Sequence, residues 1–191
     1  MRNGRYQEGG ITLWYFNDQL HREDGPACTE EDGTQSWYLH GQLHRTDGPA
    51  VLWGDGSREW WILGNRHRED GPAVLNADGS CCWYLRGSLH RVNGPAVEAS
   101  SGARAWYQTG ELHREDGPAV EGCDGTREWY NRAVKLSEEE FKCQNKAFNH
   151  KRLHEVRSAY ERPVKAVENK ILAMRKKYIE GEGTSGIRIR W

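Results

Sequence analysis

A period of 23 residues, kept without insertion, constrains this chain more than any other feature. The octet LHREDGPA at 20–27 returns as LHRTDGPA at 43–50, RHREDGPA at 66–73, LHRVNGPA at 89–96 and LHREDGPA at 112–119. A Trp-aromatic pair precedes each copy (Trp14-Tyr15, Trp37-Tyr38, Trp60-Trp61, Trp83-Tyr84, Trp106-Tyr107), and a sixth pair follows at Trp129-Tyr130. Asp-Gly turns separate most copies, at Asp32-Gly33, Asp55-Gly56, Asp78-Gly79 and Asp124-Gly125, with Ser101-Gly102 in the remaining slot. Fixed self-similarity of this length is the mark of a repeat architecture, in which each unit buries its apolar face on the next.

The unit from Ala50 to Pro72 carries the local reading. Ala50 to Trp53 is a short apolar run, and Ser57 to Leu63 alternates polar and aromatic positions, so both predict strands. Asp55-Gly56 between them predicts a two-residue hairpin loop with positive φ at both positions. Gly64-Asn65 closes another tight turn, and Asp70-Gly71-Pro72 ends pairing because proline has no N–H to give. Two antiparallel strands per unit follow, meandering without helices, and five units would extend about 50 Å at ~4.8 Å per strand. A lone hairpin of this size is not stable. The six period-matched indoles, Trp14, Trp37, Trp60, Trp83, Trp106 and Trp129, are therefore expected on one face as a buried ladder. The fold class is mainly β: an elongated antiparallel single-sheet β-hairpin repeat, followed by a C-terminal α-helical extension.

A 23-residue, Gly-rich, aromatic β-hairpin repeat resembles the MORN class, and the HR-x-DGPA form is similar to repeat proteins of bacteriophages and large DNA viruses. The resemblance covers about residues 9–135. It departs from the usual consensus, whose Tyr-x-Gly opening is replaced here by the Trp-Tyr pair and DGPA. The membrane-lipid binding of some MORN proteins is accordingly not carried over. The resemblance implies a phage or viral protein working in the host cytoplasm.

Mean hydropathy of -0.93 is too polar for a thick core, while nine Trp and eight Tyr are too many for a disordered chain. Residues 1–140 hold 14 basic against 23 acidic side chains, and residues 141–191 hold 13 against 5. Such asymmetry fits a charged partner for one half, or attraction between the halves. No run of 18 apolar residues is present. Five cysteines without a C-x-x-C spacing predict reduced thiols in a cytoplasmic compartment.

The repeated His and Arg do not read as a site. Equivalent residues in successive units lie about 9–10 Å apart, and metal ligands must come within about 2.1 Å of a shared ion. A structural reading has His and Arg bonding carbonyls and the turn Asp (Asp24, Asp47, Asp70, Asp116). No catalytic residue, metal ligand or cofactor is expected. Specificity in repeat proteins sits where units differ, which singles out Trp53, Trp61, Ile62, Asn76, Cys81, Arg86, Glu98, Arg104 and Gln108. The two extra indoles serve either as binding anchors or as padding of the core.

Three segments follow: five to six repeats over 1–136, an amphipathic basic helical region over 137–180 kinked or broken at Pro163, and a flexible linker with a short tail over 181–191. Ser137 with Glu140 forms a capping box. Leu153, Val156, Tyr160, Val164, Val167, Ile171, Met174 and Tyr178 draw one apolar stripe at helical spacing, opposite basic residues that include Lys151, Arg152, Arg157 and Lys165. The stripe either caps the sheet end or pairs with another chain, and the 153–178 helix offers a surface for a homo-oligomer.

These features predict a non-enzymatic protein-binding scaffold, without a cofactor, whose partner is a host protein or a virion component. Its partner-facing residues are Trp53, Trp61, Arg86, Arg104, Lys151, Arg152, Arg157, Lys165 and Trp191. Nucleic acid or an anionic surface, reached by the basic helices, is the alternative partner. The acidic ribbon also allows imitation of nucleic-acid charge.

Overall fold

The computed structural model describes residues 1–179. Within the C-terminal helix, residues 148–150, 154, 156–158, 160–164, 166–168 and 174–179 are described by their backbone alone. The expected linker and tail at 181–191 lie outside the described residues. Residues 1–141 form one compact unit, and the chain beyond them belongs to a second.

The fold is mainly β, with 22 short antiparallel strands ahead of one α-helix among the described residues. Fourteen strands make one sheet whose order follows the chain. The other eight form four separate two-stranded ladders. Each inner unit thus supplies four two-residue strands, where the hydrophobic pattern suggested two. In the third unit Val51–Leu52 pairs with Arg58–Glu59, which pairs on its far side with Val74–Leu75 of the next unit. Trp61–Ile62 then turns back on Asn65–Arg66 as a hairpin of its own.

The two turns of a unit are of opposite kinds. At Asp55-Gly56 the Gly56 N–H donates to the Trp53 carbonyl at 2.9 Å, and Gly56 alone is left-handed, at φ 92°. Asp55 keeps an ordinary φ and accepts the Ser57 N–H on Oδ1 at 2.8 Å. This is the longer hairpin loop with one left-handed residue, not the two-residue loop that Asp-Gly suggested. The tight loop with two positive φ angles falls instead at Leu63-Gly64, with φ 46° and 74°. His40-Gly41, Arg86-Gly87 and Thr109-Gly110 repeat it.

The driest column is not the indoles. Ala27, Ala50, Ala73, Ala96 and Ala119 are all 0% exposed, with Val51 and Val74 beside them in sequence at 4% and 8%. The six repeat tryptophans are only half-buried. A guanidinium lies over each of the first five: Arg22, Arg45, Arg68, Arg91 and Arg114 sit 3.7–4.3 Å from the ring centres of Trp14, Trp37, Trp60, Trp83 and Trp106. Four of these arginines are held from the far side. Arg22, Arg45, Arg68 and Arg114 donate from Nε to Asp24, Asp47, Asp70 and Asp116 at 2.7–2.9 Å. All five donate from Nη1 to the carbonyl of their unit's proline. The expected Arg contacts with carbonyl groups are thus present in all five units and those with turn Asp in four, and they hold the arginine over its indole, where cation–π attraction adds to burial.

Histidine does a different job from the one its spacing suggested. His21, His44, His67, His90 and His113 each accept, on Nδ1, a backbone N–H from the tight turn of the next unit. The donors are His40, Leu63, Arg86, Thr109 and Arg132, at 3.1–3.4 Å. Elsewhere in the units, Thr34 and Ser57 hydroxyls accept the N–H groups of Gly54 and Ala77. Side-chain bonds therefore tie neighbouring units at separate points, in addition to the backbone ladder.

Helix α1 spans Glu138–Ile179. Its capping box forms as expected: the Ser137 N–H and Oγ each meet Glu140 Oε2 at 2.8 Å, and the Glu140 N–H donates back to Ser137 Oγ. Backbone helix continues through Pro163 as one element, although proline leaves the carbonyl one turn earlier without its helical partner. Leu153 and Ile171 of the apolar stripe are 68% and 49% exposed.

Candidate partner-binding surface

Four residues of the third unit, three of them found in no other, meet in space. Trp53 stands where other units have Glu30, Asn76, Ala99 and Gly122; Glu59 stands where they have Ser36, Cys82, Ala105 and, in the last unit, Glu128. Trp61 replaces the usual Tyr, and Arg66 replaces the usual Leu. Glu59 is 8% exposed on the sheet face it shares with Val51 and Val74. Its Oε1 accepts the Trp53 indole N–H at 3.3 Å, and its Oε2 accepts the Trp61 indole N–H at 2.8 Å and Arg66 Nε at 3.1 Å.

One buried carboxylate thus orients two indoles and a guanidinium, and each of its donors offsets the cost of taking the charge out of water. Arg66 in turn lies 4.9 Å from the ring centre of Trp61 and 5.5 Å from that of Tyr84 in the next unit. The Trp53 ring, fixed through its N–H, remains 45% exposed. A fixed, half-exposed indole of this kind loses little side-chain entropy when covered, which is the physical basis of aromatic anchors at interfaces.

A smaller relative of the cluster recurs in the last unit. Glu128 accepts Tyr130 Oη at 3.1 Å and Lys135 Nζ at 2.6 Å. Those two donors hold the Glu128 carboxyl below the usual carboxylate range, and the acceptor Glu128 pushes the Tyr130 hydroxyl up. The spacing glutamate, aromatic two residues on, cation seven residues on is shared with Glu59, Trp61 and Arg66. That spacing was a legible signal, and neither Glu59 nor Arg66 was singled out from the sequence.

Of the residues expected to face a partner, Trp53 and Trp61 are brought together on Glu59. Arg104 is not part of that cluster. It pairs in register with Glu98 and Glu121, one residue out of step with the column that continues from Glu59, and so projects from the opposite face of the sheet. Arg86 is exposed in a tight turn, and its backbone N–H serves His67. Lys151, Arg152 and Lys165 are exposed positions of α1. Arg157 lies in α1 with its side chain undescribed, and Trp191 lies outside the described residues.

Grooves also open between successive octets. One of about 440 Å³ is lined by Arg45, Asp47, Trp60, Ile62, His67 and Arg68 among others. The corresponding groove two units on, of about 610 Å³, is lined by Arg91, Val92, Asn93, Trp106, Tyr107 and Arg114 among others.

Among the described residues no group of three or more His, Cys, Asp or Glu could hold a metal ion, and no helix is long and apolar enough to cross a membrane. All five cysteines are free thiols; burial pushes Cys28, Cys81 and Cys82 up, away from the thiolate. No protein-family model and no curated protein matches the chain.

Proposed function

We propose that the repeat array is a non-enzymatic protein-binding scaffold whose contact surface centres on Trp53 and Trp61. The observation that carries this reading is a division of labour. The His and Arg side chains that recur from unit to unit make bonds within or between units, whereas Trp53, Trp61 and Arg66, found only in the third unit, converge on Glu59 and leave a half-exposed indole held in place. A MORN-like repeat of the HR-x-DGPA kind, with the phage or viral origin it implies, belongs to the same proposal. The partner is then a host protein in the host cytoplasm, such as a defence enzyme, or a component of the virion.

Affinity capture from the native cell with the full chain and with Trp53→Ala tests it. A protein held by the first and lost with the second, at unchanged melting temperature, is the expected result. Equal recovery by both chains, or no protein recovered at all, would remove the assignment.

A second reading rests on a separate observation: Lys142, Lys146, Lys151, Arg152, Lys165 and Lys170 are all exposed on α1. They support contact with nucleic acid or another polyanion. Binding of that kind weakens steeply as salt rises and is indifferent to Trp53.

A further inference from the structure

The five octets share the frame His-Arg-x-x-Gly-Pro-Ala, and the residue before the glycine is Asp in all but one. Where four units carry Asp24, Asp47, Asp70 and Asp116, the fourth carries Asn93. In those four units the Asp accepts the arginine Nε at 2.7–2.9 Å. Arg91 has no such acceptor. Its Nη1 donates to the Pro95 carbonyl at 3.0 Å and to Glu98 Oε1 at 2.8 Å. No bond joins its Nε or Nη2 to another described residue. No buried side-chain polar atom among the described residues lacks a partner, so solvent reaches these two donors.

The next unit shows what the frame accommodates when it is filled. Arg114, in the equivalent place, holds two carboxylates at once: Asp116 on Nε at 2.7 Å and Glu121 on Nη1 at 2.9 Å. Arg91 keeps the counterpart of the second, Glu98, and lacks the first. The loop beside it has also changed. Gly94 takes φ 136°, a conformation that favours glycine, whereas Gly25, Gly48, Gly71 and Gly117 stay outside the left-handed region. Val92 is 82% exposed at the same loop. Arg91, Val92, Asn93 and Gly94 line the groove of about 610 Å³ on one side, and Trp106, Tyr107, Arg114, Glu115 and Asp116 line it too, with Asp116 already paired to Arg114.

We infer that this groove is a carboxylate-binding site, in which the Nε edge of Arg91 takes an aspartate or glutamate side chain from outside the unit, in place of the acceptor that Asp supplies in the other four. The guanidinium already lies over the Trp83 ring, its Cζ 3.7 Å from the ring centre, and is held by Pro95 and Glu98. It is therefore pre-oriented for a planar two-oxygen acceptor, the geometry in which arginine discriminates best. Asn93 cannot supply the missing charge, and its neutral amide does not repel an incoming one. The inference deepens the protein-binding reading by giving the chemistry of one partner side chain.

The test follows the arginine Nε–H signals of the ¹⁵N-labelled full chain by NMR, with N-acetyl-aspartate amide as probe and N-acetyl-asparagine amide as neutral control. A saturable shift confined to the Arg91 signal, absent with the neutral control, is expected. Asn93→Asp, which restores the sequence of the other units, should weaken the response at least tenfold while leaving the Arg45 and Arg68 signals in place. Shifts of equal size at Arg45 and Arg68, or an unchanged response in Asn93→Asp, would overturn the site. So would a response to inorganic phosphate as large as that to the carboxylate. The probe is a small molecule, so this result and the capture experiment on Trp53 fail independently of one another.

Discussion

The Nδ1 of His44 accepts the backbone N–H of Leu63, 19 residues further on, at 3.2 Å. The donor belongs to the next unit's tight turn, so the imidazole is a staple between units. Accepting on Nδ1 also fixes the neutral tautomer, with the proton on Nε2. Because the bond recurs at the same offset down the array, its loss can be examined one interface at a time.

Replacing His44 by Ala leaves the Leu63 N–H without that acceptor and should lower unfolding free energy by about 1 kcal/mol, the usual net value of one such bond. His90→Ala, two units away, should cost about the same, and the double variant should be additive. Urea midpoints of the four chains measure this. Variants as stable as the unchanged chain would mean that the bonds carry no stability, and a double variant no worse than either single one would mean that the two bonds are not independent.

Leu63 itself is a poor occupant of its turn. It holds φ 46° with a γ-branched side chain that is 52% exposed. Left-handed backbone costs an ordinary L-residue about 1–2 kcal/mol, and asparagine or glycine much less. Leu63→Asn and Leu63→Gly should therefore raise the melting temperature, whereas Leu63→Ala should not. The bond to His44 uses only the main-chain N–H and survives all three changes.

The alanine column is the tightest place in the array. Ala73 is 0% exposed, so Ala73→Leu has no room and should destabilise by about 1–3 kcal/mol through overpacking. Ala77→Leu, at an exposed position four residues away, should be nearly neutral. Similar losses at both sites would show that the column is not the packed centre.

Acid should loosen the array. Hydrogen bonds from Arg22, Arg45 and Arg68, with the charge of each guanidinium, hold Asp24, Asp47 and Asp70 below their ordinary value of 3.8. Hydrogen bonds from Thr34, Ser80 and Thr126 do the same for Asp32, Asp78 and Asp124. A carboxylate whose folded pKa is depressed stabilises above its unfolded value, and that contribution disappears as pH falls through the folded one. Urea midpoints should therefore hold steady from about pH 7 to about pH 5 and fall below about pH 4. Asp47→Asn should flatten part of that fall.

How far the sequence spoke depended on whether an interaction lay within one unit or between two. The period, the antiparallel β-hairpin character of the unit, the Arg–Asp pairing and the Ser137–Glu140 cap all depend on neighbours in the chain, and each was legible. The partner of His44 lies 19 residues away in another turn, so only the fold exposes it. Asp55-Gly56 misled because its side-chain bond to Ser57 favours a longer loop, and Leu63 took the strained position instead. The indoles looked like the core by size, but each of the first five needs a guanidinium lid, and a column of methyl groups holds the dry interior. Trp53 and Trp61 were singled out for breaking the pattern. Glu59, which joins them, was not, because a glutamate in a strand looks like an ordinary solvent-facing residue.

The sheet's strand order follows the chain, and its side-chain staples reach only to the adjoining unit. Duplicating or excising one whole 23-residue module would therefore reproduce joints that already exist and require no new ones. Evolution can lengthen or shorten such an array in whole steps, carrying the Trp53 cluster nearer to or farther from either end while its own geometry stays the same.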